Sequence, residues 1–125
     1  MSSRTLLTTS ALFLALLGLA LTFASQEILA TATAQQAFVG QLLGAALCGF
    51  ALQNWMSKGA VMGGIYGRPL AMGNLVHFTI GGLTLLKVAA QFQPTWFFAT
   101  LAICYSVFAV LFARVAFFTS GPRTP

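Results

Sequence analysis

The sequence predicts an all-α integral membrane protein, an antiparallel four-helix bundle with both the N-terminus and the C-terminus cytoplasmic. Three observations carry that expectation. Hydrophobic residues make up 58% of the 125 and charged residues 6%, where a soluble domain carries about 25% charged; no water-soluble fold of this length could hide so much apolar surface. Four segments are each about 20 mainly apolar residues long, enough to cross a bilayer. The cations also divide unevenly between the two sides that those segments define.

The first span is expected over residues 5–25, TLLTTSALFLALLGLALTFAS. Ala11, Ala15, Gly18, Thr22 and Ser25 give it a seam of small residues on one face. The second covers 34–56, AQQAFVGQLLGAALCGFALQNWM, in which Gly40-xxx-Gly44 and then Cys48 form a small-xxx-small series. Such a series serves either packing within the chain or self-association.

The third span, 69–90, opens on Pro69, whose missing N–H costs nothing at a first helical position. The fourth, 95–118, follows Pro94, which marks the turn into it. Along this last span Ala99, Ala102, Ser106, Ala109, Ala113 and Ala116 recur in a heptad-like rhythm suited to a left-handed crossing. Beside them Phe98, Leu101, Tyr105, Phe108 and Phe112 form a bulky stripe that faces either lipid or a partner chain. The connections SQEILATATAQQ, SKGAVMGGIYGR and QFQP are rich in Gln, Ser, Thr and Gly, as turns require. None is long enough to be a separate domain, so residues 1–125 read as a single four-span transmembrane domain.

A rival reading takes Arg4, the apolar run and Ala32-Thr33-Ala34 as a signal peptide with its cleavage site. The apolar run exceeds the usual length for such a peptide, and the stretch after it is long, which favours a retained helix. Cleavage would leave the direction of the other three spans unchanged.

Direction follows from the basic residues. With the N-terminus inside, Arg4, Lys58, Arg68, Arg114 and Arg123 all fall on the cytoplasmic side and only Lys87 on the other. Trp55 and Trp96 then sit near span ends, as interfacial anchors do. The net charge of +5, with Glu27 the sole acid, would suggest nucleic acid in a soluble protein. Here the cations form no basic stripe, so no nucleic-acid partner is expected and the lipid bilayer is the surface they address.

Polar residues inside the third span raise the question of a site. On a helical wheel Gly73, Asn74, His77, Gly81, Thr84 and Lys87 share an arc of about 140°, while Leu75, Val76, Leu83 and Leu86 take the far side. The polar groups are therefore expected to point into the bundle, with His77 roughly 12 Å below the Pro69 end. Gln53 and Asn54 lie near the inner end of the second span, at a height similar to that of Asn74. Asn74, His77, Thr84, Asn54 and Gln53 make a candidate polar intramembrane cluster. Two readings stand side by side: an ionisable residue in the membrane marks function, or a neutral histidine simply satisfies itself in packing. Glu27 and Lys87, at the outward ends of the first and third spans, are a candidate ion pair. Lys58 and Arg68 flank a glycine-rich connection that leads into a helix and are candidate contacts for a lipid phosphate.

Several chemistries are disfavoured. A zinc site needs three or four ligands, and one histidine with two separated cysteines, Cys48 and Cys104, does not supply them. The cysteines read as small apolar residues. No Ser–His–acid arrangement exists, and Glu27 lies past the first span, so no carboxylate sits at depth for a proton-coupled exporter. No cofactor or metal is expected.

The run NWMSKGAVMGGIYGRPLAMGNLVHF, with SQEIL after the first span, resembles small uncharacterised four-span bacterial inner-membrane proteins. The resemblance implies that location and assigns no functional residue. The leading expectation is a non-enzymatic multi-pass protein that acts through helix–helix contacts, as a homo-oligomer or as a small accessory subunit of a larger membrane complex. The alternative is a small transporter or channel with a polar path along Asn74, His77 and Thr84. An enzyme or redox carrier with a cofactor shared between chains comes third.

Overall fold

The structure, a computed structural model, describes residues 1–29, 33–91 and 96–118. These residues form four α-helices and no strand: α1 Ser3–Leu29, α2 Ala34–Met56, α3 Gly67–Gln91 and α4 Trp96–Phe118. All four are long and apolar enough to cross a membrane. The bounds of α2 coincide with the span read from sequence. Helix α3 begins two residues before Pro69, which still lies in the first turn, where N–H groups lack an intrahelical partner. Helix α1 runs four residues past Ser25, across a break at Ala24 (φ −129°, ψ 34°). The expected end of the span thus falls at a kink, and SQEIL continues the helix beyond it. Ala32, Pro94 and Arg123 lie outside the described residues.

The chain divides into two compact units, Met1–Gly59 with α1 and α2, and Ala60–Pro125 with α3 and α4.

In the first unit, Leu7, Ala11, Leu14, Gly18, Leu21 and Ser25 of α1 are buried, as are Ala37, Gly40, Gly44, Leu47, Ala51 and Asn54 of α2. Both sets advance by alternating steps of three and four, the heptad seam of a left-handed helix pair. As residue numbers rise in α1 they fall in α2: Ser10 faces Asn54, Gly18 faces Gly44 and Cys48, and Ser25 faces Gly40. Glycine is what lets the backbones meet. A methyl group on Gly18 would stand 2.8 Å from the Gly44 carbonyl oxygen, and one on Gly44 would stand 2.7 Å from the Gly18 carbonyl oxygen. The small series of the first two spans therefore pack on each other within one chain.

In the second unit the segment before α3 folds over its start. The Gly64 N–H donates to the Val61 carbonyl at 2.9 Å, and the Arg68 N–H donates to the Gly64 carbonyl at 3.1 Å. Met62 is buried there, and a side chain on Gly67 would run into the Val61 carbonyl oxygen and the Met62 backbone. Helices α3 and α4 then meet through aromatic rings. Phe78, fully buried, stacks on Phe108 at 4.9 Å and on Phe112 at 5.6 Å, and stands edge-on to Tyr105 at 5.2 Å. Part of the bulky stripe of the fourth span thus packs against the third helix, together with small residues such as Ala102.

Candidate functional site

The polar side chains singled out in the sequence are divided between the two units. In the first unit Asn54 is fully buried, and its amide donates to the Ser10 hydroxyl at 3.1 Å. Ser10 in turn donates to the Leu7 carbonyl at 3.1 Å. A buried amide in hydrocarbon needs such a partner, since an unsatisfied one costs several kcal/mol on the water-to-hydrocarbon scale, about 4–8. The α1–α2 seam supplies it, because Ser10 stands next to the seam residue Ala11 and Asn54 lies about one turn beyond Ala51. Gln53, the neighbour of Asn54, is exposed.

In the second unit His77 is half-buried and leans on the aromatic cluster. Its ring lies edge-on to Phe78 at 5.2 Å and tilted to Tyr105 at 5.5 Å. Its Nε2 faces the Tyr105 hydroxyl at 3.4 Å, with the tautomer deciding which group donates. Gly81 makes this possible: a methyl group there would lie 2.6 Å from Cε1 of Tyr105, so only glycine leaves room for the ring that reaches the imidazole. Asn74 is 1% exposed and donates to the Leu70 carbonyl of its own helix at 3.0 Å.

Thr84 departs from the expectation of an inward-pointing polar arc. It is exposed, and its hydroxyl donates to the Ile80 carbonyl one turn back at 2.9 Å. Gly73 and Lys87 are exposed as well. The buried face of α3 carries Leu70, Ala71, Asn74, Phe78 and Gly82, rotated by roughly 90° from the arc drawn on the wheel. The physical reason is that large apolar side chains, Phe78 above all, claim the packed face, while a threonine hydroxyl can be satisfied by its own helix wherever it points.

Glu27 and Lys87 are both exposed and belong to different units. Lys58 holds its ammonium 3.4 Å from the centroid of the Trp55 ring, a cation–π contact at the end of α2. Arg68 is exposed in the first turn of α3. Cys48 and Cys104 are free and half-buried, one in each unit. Among the described residues no three His, Cys, Asp or Glu side chains converge as a metal site would require.

Sequence reasoning missed two participants. Ser10 left a signal, since it lies beside the heptad positions Leu7 and Ala11. Tyr105 was visible only as a bulky residue, and its role depends on the gap at Gly81. The first unit also carries an apolar groove of about 400 Å³ between α1 and α2, bordered by Ala11, Ala15, Leu19, Cys48, Leu52 and Trp55. No family model, curated protein or solved structure matches this chain.

Proposed function

We propose that the protein is a non-enzymatic multi-pass protein of a bacterial inner membrane that acts through helix–helix contacts, as a homo-oligomer or as a small accessory subunit of a larger membrane complex. In this reading the four spans form an antiparallel bundle with both termini cytoplasmic, the direction that gathers five of the six cations on one side.

The observation that supports it most is Gln41. This residue is exposed about 6 Å from the midpoint of α2, well inside hydrocarbon depth. Its amide makes no hydrogen bond to another described residue. Ala45 and Gly49 follow on the same exposed face, and nothing lies within 4 Å of the place a Gly49 side chain would take. That face is turned roughly 130° from the seam that α2 presents to α1. A carboxamide left to lipid is costly, and a second helix bearing a polar group opposite relieves the cost. Glutamine both donates and accepts, so two copies related by a twofold axis satisfy each other.

The test is disulfide formation in native membranes, using Ala45→Cys, which leaves Gln41 in place on the same exposed face, in a background with Cys48→Ala and Cys104→Ala. A dimer forming well above that seen with Leu16→Cys, an exposed position on α1, supports the reading. Equal, low cross-linking of both, together with a monomer on detergent gels and no co-purifying membrane protein, overturns it.

A second reading, a small transporter or channel, draws on the His77–Tyr105 pair, because an ionisable side chain within a spanning helix marks ion or proton paths by default. Liposome flux of protons and small cations through wild type and His77→Ala decides it. Background-level flux from both removes the idea.

A further inference from the structure

We infer that the groove between α1 and α2 is a binding site for an anionic diacyl phospholipid, one acyl chain lying in the groove and the phosphate held by Lys58. Four observations converge on this occupant. The lining is almost wholly apolar, with Ala11, Ala15, Leu19, Cys48, Leu52 and Trp55 around a space of about 400 Å³, so it takes a hydrocarbon chain and no polar molecule. From Ala11 to Leu19 it runs about 12 Å along α1, the direction an acyl chain takes from the headgroup level toward mid-membrane.

The two ends of this helix pair carry opposite charge. Ser10 opposite Asn54 fixes the register. Arg4 lies roughly 9 Å beyond that level along α1, and Lys58 follows the end of α2 at Met56, at the same end. Glu27, the chain's sole acid, belongs to the other end of α1. A phosphate is thus drawn to the end where the groove meets Trp55.

Trp55 also ties the groove to the charge. Its ring lines the groove and carries the Lys58 ammonium 3.4 Å from its centroid. The aromatic face therefore fixes a cation at the mouth, while the amphipathic indole takes the interfacial level that tryptophan prefers. Basic pockets between spanning helices recognise acidic headgroups on the same grounds.

Trp55 supplies its own probe. In a Trp96→Phe variant it is the sole tryptophan, and a brominated lipid in the groove quenches its emission. The protein is reconstituted in phosphatidylcholine vesicles containing small, increasing fractions of brominated phosphatidylglycerol or brominated phosphatidylcholine with the same chains. Half-maximal quenching is expected at about a fivefold lower fraction of the anionic lipid, the preference one lysine near a membrane surface supplies. Lys58→Gln abolishes the preference, Lys58→Arg retains it, and Lys87→Gln leaves it untouched. Equal quenching by the two lipids overturns the assignment, and so does a preference that survives Lys58→Gln. Loss of the preference in Lys87→Gln to the same degree also overturns it, because bulk attraction then explains the result.

Discussion

Gly18 and Gly44 meet backbone to backbone, each so placed that a methyl group on one would press on the carbonyl oxygen of the other, at 2.8 Å and 2.7 Å. The pressed atoms are main chain, so neither residue can swing a side chain aside to make room. Gly44→Ala should therefore destabilise the helix pair by about 1–3 kcal/mol, the usual cost of overpacking. Gly73→Ala, within α3 and facing open space, should be neutral or slightly stabilising, because alanine is the better helix former. Thermal unfolding of the two variants in one detergent checks the contrast, and equal midpoints would refute it.

The Ser10–Asn54 bond lends itself to a double-mutant cycle. Coupling between Ser10→Ala and Asn54→Ala should be near 0.6 kcal/mol and no more than about 1.7, the range such bonds span in membrane helices. Asn54→Ala alone should cost more than Ser10→Ala alone, because both side chains are fully buried and the larger one leaves the larger cavity. Reversible unfolding in mixed micelles measures all three terms; additive effects would show that the bond contributes nothing.

Phe78 touches three aromatic rings of α4 and is fully buried. Phe78→Ala should cost about 2–3 kcal/mol, below the usual range for soluble cores, since lipid supplies part of the apolar environment while the cavity remains. Tyr105→Phe removes only the hydroxyl that faces His77 and keeps the ring, so a loss under about 1 kcal/mol is expected. Near-ultraviolet circular dichroism should change strongly in the first variant and little in the second. A large loss in Tyr105→Phe would mean that the hydroxyl matters more than the ring.

Both termini should prove cytoplasmic. A single cysteine at Ser2 or at Thr124, with Cys48 and Cys104 replaced by alanine, should resist an impermeant maleimide in intact cells and react after permeabilisation. One at Gln26, near the end of α1, should react in both. Labelling of Ser2→Cys and Thr124→Cys from outside would reverse the assigned direction, and labelling of only one would break the even number of crossings.

The candidate site was legible in part. Asn54, Asn74 and His77 announced themselves as polar residues inside apolar runs, and the structure gives each a buried or half-buried position with a polar neighbour. Thr84 sent the same signal and lies exposed, because its hydroxyl is spent on the Ile80 carbonyl. Thr22 does likewise with the Gly18 carbonyl, even though it stands within the α1–α2 seam. Polarity at membrane depth therefore marks a need for a partner without saying whether that partner lies on another helix.

Sequence alone determined the helices and their approximate limits. Spanning length is a one-dimensional property, and twenty-odd apolar residues have few other ways to satisfy their backbone in lipid. It also held the small-residue series of α1 and α2, of which Ala11, Gly18, Ser25, Gly40 and Gly44 lie buried in the seam. Only the tertiary structure decided which face of α3 turns inward, that part of the aromatic stripe of α4 packs on Phe78, and that the glycine series of α2 is used within the chain. In water a helix declares its buried face by hydrophobicity. Between lipid and protein both faces are apolar, so shape and close contact make the choice, and shape exists only once the helices meet.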